Sequence, residues 1–166
     1  MVQAQGGWLC NRVRYHVRAE PIRVTICHCC FCQRATGSAY MTEPIFNDAD
    51  FAITTGSPRT YEHVSAGSGK IVYVHFCQHC GTKLYLSFER FGGVVGVYAG
   101  TFDDPNWFDI SPENSKHIFL SVAQRGAIIP PGINTFQEHA TTNDGVQLEP
   151  TVHKEPFFVD RRSSSR

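Results

Sequence analysis

Over the first 122 positions, apolar residues either alternate with polar ones or gather in short β-branched runs. Residues 13–17, 24–27, 51–55, 71–76, 84–88, 94–98 and 118–122 each read as a strand, because successive side chains in a strand point to opposite faces. Turn formers separate them: Gly56-Ser57-Pro58, Ala66-Gly67-Ser68-Gly69, Gly92-Gly93 and Asp103-Asp104-Pro105-Asn106. No long segment holds a helical apolar period, so the pattern predicts a mainly β, antiparallel fold with little helix. Gln33-Arg34-Ala35-Thr36 is expected to make one helical turn that ends at Gly37. Residues 117–122 are the last segment placed in the core. Beyond Ile129 the chain turns to Pro130-Pro131-Gly132 and scattered polar residues, with Phe136, Phe157 and Phe158 packing back as an extended tail. The final few residues are expected to be disordered.

Candidate chemistry sits at the strand ends. Six of the seven cysteines fall within Cys27-His28-Cys29-Cys30-Phe31-Cys32 and Cys77-Gln78-His79-Cys80. Thiolates at these spacings converge on one ion at about 2.3 Å, and two such clusters point to Zn²⁺. The second cluster follows the strand at 71–76 and leads through Gly81 into the next, a hairpin-like knuckle. Two wirings satisfy the spacing. In one, Cys29 and Cys32 join Cys77 and Cys80 in a closed, structural Cys₄ site. In the other, Cys27, Cys29 and Cys32 hold an ion whose fourth position is open to substrate or water. Cys30 points away from either site and is expected to be a buried small hydrophobe.

Length and composition narrow the partners. The 166 residues suffice for one well-formed core; 42% are hydrophobic, 18% are charged and the net charge is zero. That balance argues against disorder and against nucleic acid as a partner. The stretch Met1-Val2-Gln3-Ala4-Gln5-Gly6-Gly7 lacks a basic region followed by apolar residues, and no run approaches the roughly 18 apolar residues of a membrane span. A cytoplasmic protein with no membrane partner is expected. Crowded cysteines in odd number then favour metal-bound thiolates over a disulfide framework. Oligomeric state leaves no mark on the sequence.

Three segments carry a family resemblance: Gly6-Gly7-Trp8-Leu9-Cys10-Asn11-Arg12-Val13-Arg14-Tyr15, Cys27-His28-Cys29-Cys30-Phe31-Cys32-Gln33-Arg34-Ala35-Thr36-Gly37 and Phe76-Cys77-Gln78-His79-Cys80-Gly81-Thr82-Lys83-Leu84. In order and spacing they resemble the glutathione-dependent formaldehyde-activating enzyme family. The resemblance implies an Mss4-like zinc-binding β fold, with a domain at 6–122 and an extension at 123–166. It implies a catalytic zinc on Cys27, Cys29 and Cys32, and a structural zinc on Cys10, Cys77 and Cys80. Trp8 stands where the pattern has a fourth structural ligand, and an indole offers only an N–H donor, so this second site is left with three thiolates unless water, His75 or His79 completes it. Asn11 stands where the family commonly has glycine.

The implied activity is that of a carbon–sulfur lyase whose small-molecule substrate is the adduct of glutathione, or another thiol, with formaldehyde or another small carbonyl compound. Three thiolates give the zinc shell a charge of about −1, which disfavours a metal-hydroxide hydrolase and suits a fourth sulfur. His28 and Arg34 are the candidates to protonate or stabilise the alkoxide that forms, and His28 between two ligands reads equally as a supporting residue. Arg12 and Arg14 are candidates to grip the carboxylates of glutathione, against the commoner reading of solvated surface charges. Two other readings keep the scaffold: an enzyme acting on a different carbonyl compound without glutathione, and a non-catalytic zinc module that binds a partner.

Overall fold

A computed structural model describes residues 3–160. Its strands are β1 (Ala4–Gly7), β2 (Arg14–Val17), β3 (Arg23–Cys27), β4 (Met41–Asn47), β5 (Phe51–Thr55), β6 (Arg59–Val64), β7 (Ile71–Phe76), β8 (Lys83–Phe88), β9 (Val94–Val97), β10 (Ser115–Ile118), β11 (Ile128–Ile129), β12 (Asn134–Thr135), β13 (Thr151–Val152) and β14 (Phe157–Phe158), with one α-helix, α1 (Cys30–Thr36). The fold is mainly β, as expected. The contacts divide the chain into two compact units, one of residues 3–24 with Thr42–Asp109 and the other of Thr25–Met41 with residues 110–160. No described helix is long and apolar enough to cross a membrane. The expectation of disorder at the last few residues concerns positions outside the described range.

In the first unit, β1, β2 and β5 form one antiparallel sheet, and β4, β9, β8, β7 and β6 are successive antiparallel neighbours in another. Alternation places Tyr15 and Val17 of β2 and Leu84 and Leu86 of β8 inward. Tyr15, Val17 and Leu84 meet Trp8, Val13, Phe46, Cys77, Val95, Val97 and Phe102 in the core. Each such side chain contributes about 1.5–3 kcal/mol of burial. Strand β4 was not expected, because Glu43 and Pro44 interrupt its apolar run; both are buried. Gly96 makes the space for Glu43, whose carboxylate would overlap any Cβ there; burial lowers the pKa of Arg23, an effect that the Glu43 carboxylate only partly offsets.

In the second unit, β13, β12, β10 and β3 are successive neighbours, with β10 and β12 parallel and β12 and β13 antiparallel. The expected strand at 118–122 is a correction: β10 ends at Ile118, Phe119 adopts a left-handed conformation (φ 61°), and Leu120–Val122 form a 3₁₀ turn. Strand geometry cannot continue through that φ, and backbone bonds from Phe119, Leu120 and Ser121 to the carbonyls of Glu138, Phe136 and Gln137 hold the turn instead. Leu120, Ala123, Ile129 and Val159 make a small core, with Phe157 packed against it. Phe158 is another departure, since it lies 60% exposed on the opposite face of a two-residue strand.

Candidate metal centre

The cysteine sulfurs gather as two separate triads, Cys27–Cys29–Cys32 in the second unit and Cys10–Cys77–Cys80 in the first, each with its three Sγ atoms within 4.8 Å of one another. Of the two wirings left open by spacing, the closed site mixing both clusters is therefore not formed. Sulfurs at tetrahedral positions around zinc lie roughly 3.8 Å apart, so both triads fit a zinc ion without rearranging the backbone.

The first triad is built where β3 ends and α1 begins. Cys27 closes β3, and Cys29 is the N-cap of α1, its Sγ accepting the Cys32 N–H at 3.3 Å. The helix is longer than the single turn expected from 33–36, and it stops at Gly37 in the left-handed conformation with its N–H on Gln33 O. Cys27 and Cys32 are buried and Cys29 is half-buried, so the cluster is open at one sulfur. Cys30 points away from the triad, as expected, but is exposed rather than buried, because the first turn of the helix carries it to the surface. Hydrogen bonds from Cys27 and then Cys32 push the Cys29 thiol down to about 3. Cys27 rises well above its ordinary range, chiefly through its hydrogen bond to Cys29, and Cys32 through its bond to Cys27. The negative charge of the cluster is thus held chiefly on Cys29.

His28 is fully buried, and its backbone N–H donates to Ile118 O at 3.0 Å. Its Nε2 lies 3.0 Å from His117 Nδ1, the two rings are stacked, and Tyr40 flanks it with ring centroids 5.1 Å apart. Burial lowers both histidines to about 4. Gln33 ties the helix down: its Nε2 donates to His28 O at 2.7 Å and to Val122 O at 3.0 Å, and its Oε1 accepts from Gln124 at 3.2 Å. Gln33 and His117 were not singled out from the sequence. The available signal was weak: a histidine at an inward strand position, and an amide directly after a ligand cysteine. Arg34 is exposed, and at 100° per residue it leaves α1 about 200° round from Cys32.

The buried histidines set a pH limit. An unfolded chain protonates histidine near pH 6.5, whereas His28, His117 and His75 (also lowered to about 4 by burial) stay neutral when folded. Stability is therefore full above about pH 6.5 and is lost as the pH falls towards 4, because the unfolded state takes up the protons. Urea midpoints of chelator-treated protein should fall steadily from pH 6.5 to 4.5. A flat midpoint over that interval would contradict the burial of these rings.

The second triad uses the knuckle expected between β7 and β8. Cys77 N–H donates to Thr82 O at 2.9 Å, and Gly81, at φ 74°, donates to Cys77 O at 3.0 Å. Cys77 Sγ accepts from the N–H groups of His79 and Cys80, and lies 3.6 Å from Cys10 Sγ. Asn11 preserves the turn that presents Cys10: it sits at φ 55° with its N–H on Trp8 O at 3.0 Å. Asparagine tolerates this conformation better than any residue with a bulkier side chain, so its replacement of glycine leaves the site geometry intact. Trp8 is 3% exposed and packs in the core beside Cys77 and Cys10.

Of the arginines, Arg12 is exposed after that turn, and Arg14 is engaged in a two-pronged ion pair with Asp103. The Arg14 guanidinium thus already has a carboxylate within its own unit.

The profile of the family described as glutathione-dependent formaldehyde-activating enzyme matches residues 3–121. A provisionally named glutathione-dependent formaldehyde-activating enzyme of Halomonas elongata is 22% identical over 134 residues, covering 69% of this chain and 85% of that protein. A crystal structure of a Rhodobacter sphaeroides protein superimposes with a TM-score of 0.48 at 17% identity, covering 66% of this chain and 92% of the other.

Proposed function

Because the chain belongs to the glutathione-dependent formaldehyde-activating enzyme family, we propose that it is a zinc-dependent carbon–sulfur lyase acting on the adduct of a thiol, glutathione first, with formaldehyde or another small carbonyl compound. The observation that carries this reading is the Cys27–Cys29–Cys32 triad, three sulfurs gathered at one point with Cys29 half-open to solvent. Cys27, Cys29 and Cys32 would hold a zinc ion, which would supply a soft, electron-rich centre that lowers a thiol's pKa while leaving its sulfur nucleophilic.

In the adduct-forming direction, a sulfur lone pair makes the C–S bond to the carbonyl carbon. The C=O π pair moves to oxygen, and the proton given up by the thiol ends on that oxygen as the hydroxymethyl group. The reverse reaction returns thiol and aldehyde. His28 acts here as a support: its ring is neutral at pH 7, and its bond to His117 fixes the backbone between two ligands. Arg34 contributes exposed positive charge on the helix carrying Cys32, which favours the approach of an anionic thiol. Within the first unit Arg12 is an exposed cation, whereas Arg14 is already paired with Asp103. A cytoplasmic location would supply that thiol.

One observation favours a second reading in which the carbonyl compound is one other than formaldehyde. The first triad shares its compact unit with residues 122–160, beyond the family match, and from that segment Val122 and Gln124 bind Gln33 of α1. The test is direct. Purified protein should speed formation of S-hydroxymethylglutathione from glutathione and formaldehyde above the rate in buffer. A rate equal to buffer with formaldehyde but raised with another aldehyde would select the second reading, and no acceleration with any aldehyde would reject lyase activity.

A further inference from the structure

Among the described residues the second triad has no fourth protein ligand: only Cys10, Cys77 and Cys80 bring ligand atoms within 4.8 Å of one another there. The two histidines of this region have hydrogen-bond partners outside the triad. His75 bonds Thr60 Oγ1 at 3.1 Å and Ser87 Oγ at 2.9 Å while stacking on Tyr85 at 4.0 Å, and the His79 ring meets the Gln78 amide. Trp8, two residues before Cys10, has an indole N–H and no metal-binding lone pair; that N–H is buried and has no hydrogen-bond partner.

The three sulfurs are nevertheless arranged as ligands. Cys10 and Cys77 lie 3.6 Å apart, close to a tetrahedral edge and far beyond a disulfide bond. Backbone N–H groups of His79 and Cys80 point at Cys77 Sγ, and the Thr82 hydroxyl lies 3.2 Å from Cys80 Sγ. Donors on sulfur favour thiolates, which is what an ion requires. The burial is graded: Cys77 is buried, Cys10 is half-buried and Cys80 is exposed. Three corners of a tetrahedron are therefore supplied from the protein, and the cluster meets solvent at Cys80.

We infer that Cys10, Cys77 and Cys80 form a second thiol-binding site, in which a zinc ion held by three protein thiolates takes its fourth ligand from solution as a small-molecule thiolate. The exchange would be a ligand substitution without redox change, in which the incoming thiol gives its proton to solvent and its sulfur takes the position that the three cysteines leave open. Sulfur is preferred over water because a thiolate-rich shell on zinc is soft. Because Cys80 is exposed and Cys29 is half-buried, an ion at the second cluster would also exchange faster than one at the first. The inference stands independently of the lyase proposal, since it concerns the other triad.

Full-length protein loaded with ¹¹³Cd²⁺ provides the test, with 2-mercaptoethanol as the thiol probe. Two ions per chain and two cadmium resonances are expected, one lost in Cys29→Ser and the other in Cys80→Ser. The resonance lost in Cys80→Ser should move towards the four-sulfur region as 2-mercaptoethanol is added, and a chelator should strip that ion about tenfold faster than its companion. Cys80 is exposed, so its serine variant should fold, and Cys10→Ser repeats the assignment from a second residue. The inference is overturned if Cys80→Ser and Cys10→Ser both retain two ions, if wild-type protein binds only the ion lost in Cys29→Ser, or if the second resonance does not move with added thiol.

Discussion

Cys29→Ser should remove one metal ion per chain and lower the rate of adduct formation from glutathione and formaldehyde by at least about a hundredfold. Cys29 is the sulfur that gathers the negative charge of its triad and the one open to solvent. Serine suits this test because Cys29 is also the N-cap of α1, and a serine hydroxyl caps a helix well. Helix and fold should therefore persist while the soft ligand is lost. Metal analysis and circular dichroism would check each part. If the variant keeps both its metal and its rate, the reactive centre is not the Cys27–Cys29–Cys32 triad.

The largest effect on stability is expected at Gly6. Gly6 lies in β1 opposite Tyr15 of β2 and bridges to Phe102. A Cβ at this position would overlap both the backbone oxygen of Thr101 and the hydroxyl end of the Tyr15 ring. Tyr15 cannot swing aside: it is 1% exposed, its hydroxyl bonds Thr101 Oγ1 at 3.0 Å, and its ring packs against Phe51 and Phe102. Gly6→Ala should cost about 3 kcal/mol or more, which lowers the melting temperature by roughly 6–12 °C in a chain of this length. Gly67→Ala is the control, since a Cβ there meets nothing and the backbone needs no positive φ. Equal melting temperatures for the two variants would show that the β1–β2 contact yields more easily than its packing implies.

Much of the site was legible in the sequence because metal-binding cysteines must be close along the chain to meet at one ion. The C-x-C-x-x-C and C-x-x-C spacings named five of the six clustered sulfurs, and Gly37 and Gly81 marked the turns that present them. Cys10 was reached only through resemblance, since it lies 67 positions from Cys77 and no local pattern links them. Gln33 and His117 escaped for the same reason. Their partners, Val122 and His28, are each 89 positions away.

The alternating pattern by itself determined the β class, most strands of the first unit and the knuckle at Cys77–Cys80, all of which depend on neighbours in sequence. Tertiary structure decided what depends on distant partners. It decided that β4 tolerates Glu43, because Gly96 leaves room for the carboxylate. It decided that residues 119–122 turn rather than extend, because the backbone of 136–138 captures them. It also decided that the cysteines form two triads and not one closed site. Spacing fixes which sulfurs can share an ion, but only the path of the strands between them fixes which ones do.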